Sequence, residues 1–154
     1  MEIIFSVLIA TVVFAVILYI VLMQVRVKQV KQANTLLEEF KEENILAYTS
    51  AANFVGIESK GMGQVRGNGF LLLSSHFLLF ERLAPKMRVN IVLRKIIRVD
   101  QVSSFLGKRN IKPVLRIFYT DEHGEQDKIG FFIKDPDKWQ NLIRKANEQS
   151  RKFV

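Results

Sequence analysis

Lys108, Arg109 and Lys112 crowd beside Phe105 and Leu106 within the run Ser104-Phe105-Leu106-Gly107-Lys108-Arg109-Asn110-Ile111-Lys112-Pro113. Bases next to apolar side chains suit a membrane surface. The cationic groups meet lipid phosphates while the apolar tips enter the headgroup zone. A plainer reading stands beside it, in which Phe105 and Leu106 pack under a long loop and the bases are merely solvated. These five residues are the candidate site for lipid or partner binding. A second basic set, Arg94, Lys95 and Arg98, shares one side only if its strand is unbroken.

Catalytic chemistry has little to stand on. The chain lacks cysteine, so thiolate nucleophiles, disulfides and cysteine-based metal sites are excluded. His76 begins an expected strand and His123 sits in an acidic turn, with no metal-ligand spacing to Asp or Glu. Ser74-Ser75 has no nucleophile-elbow context. Asp121, Glu122, Glu125 and Asp127 flank a hairpin tip, where carboxylates usually serve solubility. Gly61, Gly63, Gly67 and Gly69 match no nucleotide-binding spacing and read as turns or a bulge. No catalytic, metal-binding or cofactor-binding residue is assigned, and the chain reads as a non-enzyme.

The element that must position this site begins at the other end of the chain. Ile3 to Met23 is 21 residues without a charge. As a helix it would reach roughly 30 Å, the thickness of a bilayer's hydrocarbon core. Ser6 and Thr11 can return their hydroxyls to the helix's own carbonyls. A cleaved signal peptide would start basic and end at small residues, whereas here Glu2 precedes the run and Gln24-Val25-Arg26 follow it. The run reads as a retained transmembrane anchor over residues 1–23. Arg26, Lys28 and Lys31 follow it closely, which places the C-terminal portion in the cytoplasm and the N-terminus outside.

Charge divides the chain further. The net +8 arises beyond residue 54, where 19 bases face 10 acids. An anionic leaflet attracts such a domain; nucleic acid would also, but a membrane tether argues against it. Residues 24–50 read as a helical juxtamembrane stalk, with Val30, Ala33, Leu37 and Phe40 in one apolar stripe. That stripe could pair neighbouring chains or fold back, and Thr35 with Glu38 could instead cap a separate helix.

From residue 51 the period shifts to two. Strands are expected at Ala52–Ile57, Phe70–Leu73, His76–Arg82, Met87–Leu93, Ile97–Ser103, Val114–Tyr119 and Glu125–Ile133, with a turn at Leu83-Ala84-Pro85-Lys86. Asp135-Pro136-Asp137 then opens a helix whose Trp139, Leu142, Ile143 and Ala146 share a face. Seven strands in meander order and one capping helix make an antiparallel α+β barrel or sandwich.

That order, with a tryptophan early in the closing helix, resembles the pleckstrin-homology (PH) superfold, and most closely its GRAM/bacterial PH-like branch. The stretches that carry the resemblance are Gly67-Asn68-Gly69-Phe70-Leu71-Leu72-Leu73, Leu78-Leu79-Phe80-Glu81-Arg82, Ile91-Val92-Leu93-Arg94-Lys95-Ile96, Ser104 to Lys108 and Asp135 to Trp139. The resemblance implies a PH/GRAM-like domain over residues 51–154 that binds and does not catalyse. Its ligand would be a protein, a peptide or anionic lipid. The basic first loop that many PH domains use for inositol lipids would here hold only Lys60 and Arg66. The other reading is a structural subunit of a membrane assembly, self-associating or joining a partner through anchor and stalk.

Overall fold

The computed structural model describes residues 2–82 and 84–152, without the side chains of 2–6, 8, 10, 25, 26, 29 and 32. Ser6, Arg26 and Leu83, named above, thus lie outside the described residues or side chains. The chain divides into two compact units, Met1–Glu39 and Phe40–Val154.

The first unit is one helix, α1 (Glu2–Glu39). It carries no Gly or Pro, and Thr11 donates to the Val7 carbonyl as expected of a hydroxyl on an apolar helix. Every described side chain from Thr11 to Gln24 is exposed. Among the described residues no helix is long and apolar enough to cross a membrane; in this region the described side chains run unbroken only from Thr11 to Gln24. A separate helix at Thr35 is excluded. The Thr35 hydroxyl donates to the Lys31 carbonyl at 2.9 Å, inside a continuous helix. The apolar stripe ends early as well, because Phe40 falls beyond the helix and packs against Phe77 as a tilted pair with centroids 5.3 Å apart.

The second unit is a seven-stranded antiparallel sheet closed by a C-terminal helix. Its strands are β1 (Ile45–Ile57), β2 (Gly67–Ser74), β3 (Phe77–Arg82), β4 (Met87–Val92), β5 (Ile96–Phe105), β6 (Lys108–Thr120) and β7 (Gln126–Phe132), followed by α2 (Pro136–Lys152). The order across the sheet is β4-β3-β2-β1-β7-β6-β5. β1 joins the two halves: Ile45 to Phe54 pair with β2, and Asn53 to Ile57 pair with β7. Register shifts between Thr49 and Ala52 and between Phe54 and Gly56 bend the strand so that it serves both. β1 starts at Ile45, seven residues before the alternation announces it. Residues 45–50, expected in the stalk, are therefore strand.

Inward-facing side chains from both halves make one core. Phe54, Phe80 and Phe131 lie at its centre, with centroids 5.7, 6.3 and 5.0 Å apart pairwise. On α2, Trp139, Ile143 and Ala146 are buried and Leu142 is half-buried, so the stripe read from the sequence is the one that packs. The polar residues of α2 have a second task. Gln140 and Arg144 donate to the Val99 carbonyl, Asn147 to those of Leu93 and Ile96, and Arg151 to that of Ile96. The edge strand β5 thus has its outward carbonyls covered by helix side chains, which blunts it against pairing with other chains.

Candidate functional site

The long loop expected at residues 104–113 is not a loop. β5 and β6 continue as a hairpin arm, with Phe105 opposite Lys108 and Ser104 opposite Arg109. A two-residue turn, Leu106 (φ 52°) and Gly107 (φ 69°), closes it with both residues left-handed. That is the backbone that matches the natural twist of a hairpin. Below the turn the register jumps from Ser104–Arg109 to Val102–Val114. Asn110, Ile111, Lys112 and Pro113 therefore face the single residue Ser103, and the arm bulges outward there.

Phe105 does not project from this arm. It is buried, and together with Val55 and Val114 it forms a small second cluster that Leu106 joins half-buried. Gly130 explains the burial, since a Cβ there would lie 2.8 Å from the Phe105 ring. A β-carbon at that site would push the ring out. The apolar pair of the candidate site thus braces the arm from beneath, and Phe105 is removed from the binding surface. Lys108, Arg109 and Lys112 are exposed, and none of them forms an ion pair among the described residues.

The loop between β1 and β2 lies against the arm. The Met62 sulfur would sit 3.6 Å from a Cβ on Gly107, and Leu106 reaches over Gly56 beside Gln64. Side-chain hydrogen bonds hold this loop. Gln64 accepts from the Ile57 amide at 2.9 Å and donates to the carbonyls of Ile57 and Gly61, each at 2.6 Å. Buried Arg82 donates to the Val65 and Pro85 carbonyls. Asp127, on β7, accepts from the Ser59 amide at 3.0 Å and the Ser59 hydroxyl at 2.5 Å. Sequence patterns assigned none of these three side chains to this loop: Asp127 reads as part of an acidic turn, and it and Arg82 reach Ser59 and Val65 from distant strands.

The other residues singled out from the sequence are structural or dispersed. Lys95 donates to the Asp121 carbonyl, Arg98 lies 3.3 Å from Asp100 and over the Phe118 ring, and Arg94 is exposed, so the second basic set makes no single patch. Asp100 holds Arg116 with two bonds, at 2.9 and 2.8 Å, and that hydrogen bonding pushes the Arg116 pKa up. Ser74 is buried and its oxygen accepts from the His76 and Phe77 amides, a turn role. His76 precedes β3 and is exposed, as is His123. Asp121 organises its hairpin by accepting from the amides of His123 and Glu125. Asp127 is buried and holds Ser59, so the acidic cluster divides into structural and solvated members. Lys60 and Arg66 are exposed on the β1–β2 loop.

Tyr119 gives this region a measurable titration. Burial first, then the charges of Asp127 and Asp121, push its phenol from 10 up to about 12. The unfolded chain releases this proton near pH 10 while the folded one keeps it, so the contribution is complete below pH 10 and lost as pH rises to about 12. The melting temperature should fall more steeply across that window in the parent chain than in Tyr119→Phe. Equal slopes would contradict the assignment.

No family model matches the chain, and no curated protein does. Among solved structures it is similar to the N-terminal PH domain of Vps36, with 18% identity over 71% of this chain and 82% of that one and a TM-score of 0.52. The fold is PH-like. A chain of the 8S snRNP assembly intermediate is similar as well, with 11% identity, 68% and 83% coverage and a TM-score of 0.54. At such identities the likeness belongs to the scaffold of the PH-like domain, and its ligand has to be argued from its own surface.

Proposed function

We propose that this chain is a membrane-tethered, non-catalytic binding module of the GRAM/bacterial PH-like kind, facing the cytoplasm and engaging anionic lipid headgroups with its β5–β6 arm. The observation that carries the reading is the arm itself. Lys108, Arg109 and Lys112 stand exposed, with no ion pair among the described residues, on a hairpin braced from beneath by Phe105 and Leu106. Each such base near an anionic leaflet is worth about 1 kcal/mol. The tether rests on the uncharged run Ile3–Met23 and the orientation on the bases just after it. Tethering raises the local headgroup concentration, so weak individual contacts are occupied.

The tether is tested with the full chain and neutral vesicles. The parent should float with the vesicles and resist alkaline extraction. Val13→Arg with Ile17→Arg should abolish that, since each central charge costs about 2.5–3.5 kcal/mol on insertion. A parent chain stripped by alkali would contradict the tether.

A further inference from the structure

Beyond the uncharged run, α1 presents an apolar stripe to solvent. Val27 and Val30 are 61% and 60% exposed, and they share one shallow face with Lys31, Asn34, Thr35 and Glu38. The stripe has the period of a coiled coil. Val27, Val30, Asn34 and Leu37 follow in steps of three and four, and the same steps lead back through Met23, Ile20, Val16 and Val13. Inside an all-apolar run such a recurrence says little by itself. Its continuation into a segment rich in Lys, Gln and Glu is the informative part. Of the apolar residues off the stripe there, Val25 borders the run, Ala33 flanks the stripe, and Leu36 is already buried, at 2% exposure. α1 has neither Gly nor Pro to break the register.

We propose that two copies of this chain pair in parallel along this stripe, as a short left-handed coiled coil that carries the membrane span on into water. Residues 24–39 supply about 24 Å of helix for it. The inference rests on the tether of the reading above and not on its lipid contact. A second copy is the occupant that fits. Copies tethered with one orientation run parallel, so each residue meets its own counterpart at the same depth. Asn34 is exposed on the seam, and its amide, both donor and acceptor, can bond its counterpart across a two-fold axis. A lone Asn in such a seam fixes register and strand number at some cost in stability. An unlike helix would need a polar residue at that one depth, and would have to cross the bilayer and run equally far beyond it. Charge gives the pair no help. The register sets position 26 of one copy beside position 31 of the other, and both are basic. Pairing therefore rests on packing and on Asn34, and it tolerates salt that would remove a lipid contact.

The natural absence of cysteine makes a direct test possible in the full chain. Val27→Cys and Val30→Cys place single thiols on the seam, whereas Lys28→Cys and Thr35→Cys place them on the outer side of the helix. Each variant is held in neutral phospholipid vesicles at low protein density, and a mild added oxidant links the thiols that meet. Disulfide-linked dimer should form several-fold more at the two seam positions than at the two outer ones. That yield should hold as salt rises from about 0.1 M to about 1 M, where the screening length shrinks from about 10 Å to about 3 Å. Asn34→Asp, added to Val30→Cys, sets two carboxylates face to face and should lower the yield several-fold. Equal yields at all four positions, or no dimer at any, overturn the pairing in a chain that resists alkaline extraction. A yield indifferent to Asn34→Asp overturns it too, because the seam would then run elsewhere. A chain stripped by alkali fails at the tether instead, so the two failures are told apart.

Discussion

Replacing Phe131 with alanine should cost the sheet domain about 3–5 kcal/mol, the usual penalty for a buried aromatic cut back to a methyl. Phe131 is 1% exposed and touches Phe54 on β1 and Phe80 on β3, so it couples the two halves of the sheet through one ring. Few neighbours can collapse into the gap, because β1 is already paired on both sides by β2 and β7. A domain of this size holds about 5–15 kcal/mol in all, so the loss is a large fraction of it. Thermal melts followed by circular dichroism should show the midpoint falling by roughly 15 °C or more, while Phe131→Leu loses far less. A fall of only a few degrees in Phe131→Ala would mean that the two halves are held together elsewhere.

The second large effect falls on binding and spares the fold. Lys108→Gln, Arg109→Gln and Lys112→Gln together remove three bases that form no ion pair among the described residues. At about 1 kcal/mol each, the affinity of the full chain for an anionic surface should drop by about two orders of magnitude. The comparison is made with the protein held in neutral nanodiscs and presented to supported anionic bilayers. Exposed side chains that support no core contact should leave the melting temperature nearly unchanged. An affinity that survives the triple substitution would move the lipid contact off the arm and favour the reading as an assembly subunit.

The parts of the molecule readable from sequence are those whose signal is local. The α2 stripe repeats Trp139, Leu142, Ile143 and Ala146 at helical spacing, and Pro136 is the first helical residue as its fixed φ favours. Turn signals separated the seven strands along the chain, but a plain meander missed the closure: β4 and β5 are the two edges and β1 pairs with β7, a contact between distant residues that no local signal announces. The arm was misread for physical reasons. Leu106 adopts a left-handed φ that favours glycine, so the two-residue turn was not announced, and Pro113 with the flanking bases suggested a loop. The place of Phe105 depends on the missing side chain of Gly130, which is 25 residues away and across the sheet. The early start of β1 was hidden for a related reason: Leu46 and Tyr48 put apolar side chains on an exposed face, where Tyr48 stacks on neighbouring Phe70 at 5.7 Å. The bases of the candidate site were legible as a local cluster, whereas the loop beside them was not. Met62 meets the arm only because Gln64, Arg82 and Asp127 fold the β1–β2 loop back.

The central claim is that the arm engages anionic headgroups, and hydrogen exchange in the unaltered full chain tests it most directly. Backbone amides of residues 103–113 are compared in neutral and in anionic proteoliposomes, with residues 121–126 as the internal reference. The account predicts slower exchange at 103–113 on anionic lipid alone, with the difference erased as salt rises and no change at 121–126. Identical exchange of the arm on the two lipids at low salt would contradict it, and the basic surface would then belong to a protein partner.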